Sequence, residues 1–109
     1  MSAPGEPSPR LLYHLIPEDV WAGVDDLYAP DSLGSVGFVH LSTSAQVDIP
    51  GKALYAGRGD MRLLVVDATL LGAEVVFEEG DPPTPGMLFP HLYGPLNRSA
   101  VIDVLPYRA

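Results

Sequence analysis

Arg62-Leu63-Leu64-Val65-Val66-Asp67 is the stretch on which the fold turns. Two leucines and two valines in a row, bounded by charged residues, make a run too short for a helix and rich in β-branched side chains. It reads as a strand. Toward higher numbers, Ala68–Ala73 reads as a turn or one helical turn, and Glu74-Val75-Val76-Phe77-Glu78 as a second strand whose acids suit a sheet edge. Glu79–Gly86 holds Gly80, Pro82, Pro83, Pro85 and Gly86 and reads as a loop. Leu88–Leu96 is compact and aromatic, and Ser99–Leu105 is a last strand.

Toward lower numbers, Val36–Ser42 is a strand candidate. Thr43 and Gln46 have capping-box spacing, which predicts a short helix from Thr43 that Pro50 and Gly51 limit to about two turns. Asp25–Ser35 carries turn residues and reads as a loop. Pro17–Gly23 has Pro at a first helical position, Glu18 and Asp19 in the first turn, and a glycine to end it, so a helix is expected. Arg10–Ile16 is apolar and aromatic between prolines and reads as a buried strand. The sum is five or six short strands and two short helices. That pattern argues α+β, a small strand-rich single domain over residues 10–109, rather than a doubly wound sheet. Residues 1–9, rich in Pro, Ser and Gly, read as a flexible lead-in.

The totals exclude several classes. At 109 residues, 47% hydrophobic and 18% charged, the chain has the balance of one globular domain. It has no cysteine, so disulfides, thiolate zinc sites and thiol nucleophiles are out, and a reducing compartment fits. The net charge is −8, and Arg10, Lys52, Arg58, Arg62, Arg98 and Arg108 are scattered singly. Generic nucleic-acid binding needs a basic stripe to replace phosphate counterions, and none is present. No apolar run approaches the ~20 residues of a membrane helix, and the first nine residues lack the apolar heart of a signal peptide. The expectation is a cytoplasmic protein that takes a small-molecule ligand; oligomeric state is left open by the sequence. Neither G-x-G-x-x-G nor G-x-x-x-x-G-K-[ST] occurs, which excludes the common nucleotide-binding loops.

The chain has three histidines, His14, His40 and His91, and each follows an apolar or aromatic frame and precedes a leucine. Strand alternation puts His14 on a face with Leu12 and Ile16, and His40 with Phe38 and Ser42. Such surroundings favour a neutral imidazole. Any one of them reads equally as a core histidine; three in like settings point to one pocket. No two lie at helical ligand spacing, so no metal is expected. Ser42 and Thr43 read as capping or ligand-orienting hydroxyls, and Glu78 either as a general base or as part of a solvated edge. Arg58-Gly59-Asp60 reads as a turn.

Tyr13-His14, Gly37-Phe38-Val39-His40-Leu41-Ser42-Thr43 with Gln46, and Leu88-Phe89-Pro90-His91-Leu92-Tyr93-Gly94-Pro95-Leu96 resemble the signature of the family called domain of unknown function 952. Leu63–Asp67 and Val76-Phe77-Glu78 fit it too, so the likeness covers nearly all of the chain after residue nine. That family is grouped with the ADP-ribosyltransferase-like superfamily. The resemblance implies a split, strand-rich fold that takes NAD as substrate without a Rossmann motif. By position His14 resembles the residue that orients the nicotinamide ribose, His40 the second motif residue near nicotinamide, and His91 the third, which steers the acceptor. The superfamily often has Glu at that third place. A histidine there points away from protein mono-ADP-ribosylation and toward an RNA-phosphate or small-molecule acceptor, or to loss of transfer. The segment Val47–Gly57 is shorter than the helix the family more often has there.

Three readings follow. The first is an ADP-ribosyltransferase-like enzyme or NAD-binding relative, with His14, His40 and His91 catalytic and with Tyr13, Phe38, Ser42, Thr43, Gln46, Glu78 and Tyr93 around the substrate. The second is an isomerase, cyclase or hydrolase that uses a histidine pair as acid and base. The third is a ligand-binding module without catalysis.

Overall fold

The computed structural model describes residues 9–80 and 83–109. The lead-in expected over 1–9 lies, but for Pro9, outside the described residues, as do Asp81 and Pro82 of the expected 79–86 loop. In chain order the elements are β1 (Leu11–Pro17), α1 (Glu18–Ala22), β2 (Leu27–Tyr28), α2 (Asp31–Ser35), β3 (Val39–His40), α3 (Asp48–Tyr55), β4 (Met61–Asp67), a 3-10 turn (Ala68–Leu70), β5 (Val75–Glu79), β6 (Leu88–Leu92), β7 (Leu96–Asn97), a second 3-10 turn (Arg98–Ala100) and β8 (Val101–Tyr107).

All strand pairing is antiparallel, in the orders β1-β4-β8, β3-β6-β5 and β2-β7. The Arg62–Asp67 run lies in β4, the middle strand of the first sheet. Its apolar residues run on without alternation because both of its faces are covered: Leu64 and Val66 enter one core, Met61 another. The main core packs Leu12, Ile16, Leu64 and Val66 of the first sheet against Val39, Leu41 and Leu92 of the second, with Leu96 and Ala100. A smaller core joins Leu15, Val47 and Met61 to Tyr13, Tyr55, Leu63 and Tyr107. Each fully buried leucine or isoleucine contributes about 1.5–3 kcal/mol of apolar transfer.

Among the described residues one isolated backbone bridge joins the two three-stranded sheets. Tyr13 N–H donates to the Ser42 carbonyl and Ser42 N–H to the Tyr13 carbonyl, both at 2.8 Å. Beyond that bridge the strands part, so the sheet is split along a seam between β1 and the end of β3.

The α+β class and the many short strands stand, with more elements than expected. Asp25–Ser35 is not a plain loop: it holds β2, made by pairing with β7, and the one-turn-and-a-half α2. The strand expected over 36–42 is limited to Val39–His40, because Gly37 turns the chain at φ +90° just before it. The helix does not start at Thr43. Gln46 Oε1 does accept from Thr43 N–H at 3.1 Å, half of the expected box, but that closes a turn, and α3 begins at Asp48. Pro50 and Gly51 lie inside α3 rather than ending it. Pro50 falls in the first turn, where no intrahelical N–H bond is needed.

Candidate functional site

A cleft of about 550 Å³ opens at the seam, within the range of small-molecule sites. Tyr13, His14 and Leu15 of β1 form its floor on one side, with His40, Leu41 and Ser42 on the other. Phe89 and His91 of β6 extend that second wall. Tyr28, Asp31 and Ser32 close one end, and Ile49, Leu54 and Tyr55 of α3 close another.

His14 is held by its backbone neighbour across the seam. Its Nδ1 lies 2.7 Å from the His40 carbonyl oxygen. A carbonyl only accepts, so Nδ1 carries the hydrogen and Nε2 presents a lone pair. Burial pushes the His14 pKa below the ordinary imidazole value of 6.5, outweighing the hydrogen bond to His40, which pulls the other way. His14 is therefore neutral, with a fixed tautomer. Its ring lies 5.7 Å from that of Tyr28.

His91 is placed by sheet register. It sits opposite His40 on β3 and Val76 on β5, and Glu78 lies two residues along β5, on the same face as Val76. The Glu78 carboxylate can thus reach back to His91: Nδ1 and Oε2 are 2.7 Å apart. The Tyr93 hydroxyl donates to the same Oε2. These two donors, Tyr93 first and His91 second, hold the Glu78 pKa below its usual value, so the group is a carboxylate. The Tyr93 phenol is correspondingly pushed up. Phe38 stacks on His91 at 3.8 Å and 13° between planes, and His40 meets His91 edge-on at 5.7 Å. His91 is 1% exposed, and its Nε2 is shielded from water with no hydrogen-bond partner among the described residues. Such a buried orphan is uncommon in a folded protein and calls for an explanation.

Of the residues singled out in the sequence, Tyr13, His14, His40, Ser42 and His91 line the cleft. Phe38, Glu78 and Tyr93 stand behind His91 instead, touching its ring or its carboxylate partner. Thr43 and Gln46 brace the chain after the bridge. Gln46 is buried, and its Nε2 donates to the Leu88 carbonyl at 2.6 Å while its Oε1 serves Thr43. The sequence reading missed Tyr28, Asp31, Ile49 and Tyr55. The first two lie in a stretch whose turn residues hid its folded part. The last two show only once α3 is laid against β1. Among the described residues no three His, Cys, Asp or Glu side chains gather to hold a metal ion, and no helix is long and apolar enough to cross a membrane.

A family model described as "Protein of unknown function (DUF952)" matches residues 15–104. No curated protein matches the sequence. Among solved structures, the crystal structure of protein CC0527 from Caulobacter crescentus is similar, with 28% identity and a TM-score of 0.75 over 88% of this chain and 84% of that one. The solution NMR structure of CC0527 has 27% identity and a TM-score of 0.73 over 92% of this chain and 86% of that one. A double-mutant crystal form of CC0527 has a TM-score of 0.74 at 27% identity, over 88% and 84%.

Proposed function

The chain belongs to the DUF952 family of proteins of unknown function, and from that premise we propose that its seam cleft is an ADP-ribosyltransferase-like site that takes NAD and breaks the nicotinamide–ribose bond. The observation that carries this reading is the placement of His14 and His40 on opposite sides of a split sheet, tied together through the His14 Nδ1 contact at 2.7 Å. Cleaving that bond passes through an oxocarbenium-like state, which depends on holding the ribose in a dry, fixed geometry more than on a strong nucleophile. His14 Nε2, an acceptor on an immobile ring, suits a ribose hydroxyl. Tyr13, Tyr28 and Tyr55 supply aromatic surface for the base.

The electron pair of the C1′–N bond leaves on nicotinamide, which departs neutral. The oxygen of an acceptor, water or an alcohol, bonds to C1′. Its proton passes to His91 Nε2, which the resting fold shields and which ligand binding must uncover, and the imidazolium so formed is balanced by the Glu78 carboxylate 2.7 Å from Nδ1. The test is calorimetric titration with NAD of wild type and His14→Ala. Saturable binding lost in the variant is the expected result; no heat from wild type at millimolar NAD removes the reading.

One observation favours a second reading. A carboxylate on Nδ1 with Nε2 unpartnered is the arrangement of a general base, and it would serve an isomerase, cyclase or hydrolase that uses no NAD. A bell-shaped pH–rate profile on a small metabolite in the absence of NAD identifies that case.

A further inference from the structure

Among the described residues, the lining of the cleft offers no Lys or Arg to a phosphate. Its charged side chain is Asp31. The chain has only six Lys and Arg to offer, and their positions account for all of them. Arg10 is bound to Asp67, Arg58 to Asp60 and Arg62 to Glu18. Arg98 donates to the Val24 carbonyl and lies over the Trp21 ring. The Arg108 guanidinium packs against Gly59. Lys52 is exposed on α3 but is not among the residues that line the cleft.

The helix starts give no substitute. An anion can be held by a helix N-terminus, but each α-helix here begins with its own acid: Glu18 and Asp19 in α1, Asp31 in α2, Asp48 in α3. Of these acids Asp31 lines the cleft, and a net charge of −8 on the chain as a whole opposes polyanions and draws cations. Of the cleft's other polar groups, the hydroxyls are uncharged and burial holds His14 neutral, with His40 and His91 completing the set. The faces of Tyr13, Tyr28 and Tyr55 are attractive to a flat cation.

We propose, resting on the NAD reading above, that the site recognises the N-ribosylated pyridinium end of its ligand and gives no stabilisation to a diphosphate, so that a phosphate-free nucleoside binds at least as tightly as the dinucleotide. The ligand class is a cationic nucleoside, with the pyridinium near Asp31 and the tyrosine rings and the ribose at His14.

Nicotinamide riboside, NAD and ADP-ribose, each titrated into the full-length protein by calorimetry at about 20 mM and about 300 mM sodium chloride, test this. At low salt the riboside binds at least as tightly as NAD, and ADP-ribose binds weakest. Raising the salt strengthens NAD relative to the riboside, because it screens the repulsion of the phosphates. Asp31→Asn, at an exposed position, weakens the riboside by roughly two- to fivefold, the scale of one exposed charge pair. NAD binding more tightly than the riboside at low salt overturns the proposal. An unchanged riboside affinity in Asp31→Asn overturns the role of Asp31. Heat with NAD that His14→Ala abolishes, together with silence from the riboside, sinks this proposal and leaves the NAD reading standing; silence from both ligands removes the two together.

Discussion

Glu78 decides what His91 can do. Its carboxylate fixes the Nδ1 hydrogen, and in the proposed reaction it would balance a proton taken up at Nε2. Under the proposed mechanism Glu78→Gln lowers NAD turnover by about ten- to a hundredfold, a fraction of what removing a whole general base costs, while the NAD Kd stays within about twofold. Single-turnover kinetics beside calorimetry separate the two quantities. His14 gives the matching prediction in pH. Its pKa lies below 6.5 in the fold, so under the proposed function ligand binding is full above that value and is lost as pH falls through the lowered pKa, where the ring gains a proton and Nε2 stops accepting. Titrations at stepped pH should show that loss in wild type. The three histidines were visible in the sequence because the frame around each is unusual for a polar residue. Their partners were partly visible: Glu78 and Tyr93 stood out as residues, but the reach of Glu78 across two strands depends on the β5–β6 register, Val76 opposite His91, which no local pattern encodes.

At the scale of the element, α3 is fitted to β8 with no room to spare. Gly51 lies under the Tyr107 hydroxyl, and a Cβ there would come within 2.0 Å of that oxygen. The same hydroxyl donates to Asp48 at 2.6 Å, and burial followed by that bond pushes its pKa up to about 12. Gly51→Ala therefore destabilises the protein by about 1–3 kcal/mol through overpacking, although alanine is the better helix former. Urea unfolding measures it, and in the background of Tyr107→Ala the same substitution should cost clearly less, since the two changes share one contact. Strands β1, β4 and β5 and helix α1 were legible because long apolar runs, a proline start and acidic first-turn residues are local signals. Strand β2 and helix α2 were not. Leu27–Tyr28 is a strand only because Leu96–Asn97 lies beside it, and α2 is built from Asp, Ser and Gly, which read as a loop. Gln46 made its half of the expected box, accepting from Thr43 N–H, but in a turn rather than at the start of a helix.

Across the whole molecule, the first and middle strands of one sheet are pinned by charge. Arg10, just before β1, donates to Asp67 at the end of β4 at 2.9 and 3.1 Å. Asp67 also accepts from the Thr69 N–H and hydroxyl. Arg10 first, then Thr69, holds the Asp67 pKa down to about 2, from an ordinary value of 3.8. Because the folded value is the lower one, the stability this carboxylate contributes is complete above about pH 4 and is lost as pH falls from there through about 2. Denaturant midpoints at pH 5, 3.5 and 2.5 should fall across that window in wild type, and by a smaller step in Asp67→Asn. The pairing pattern that Arg10 and Asp67 join has a further consequence for how the chain reaches this shape. Leu11 pairs with Asp67 and Pro17 with Met61, while Met61 also pairs with Tyr107; among the three-stranded sheets only β5 and β6 are neighbours in sequence that also pair. During synthesis β1 has no strand partner until β4 has followed it. Refolding should accordingly be slow for so small a protein, on the order of milliseconds to seconds by stopped-flow fluorescence of Trp21. During that wait the apolar stretch of β1 is the segment a chaperone would find uncovered.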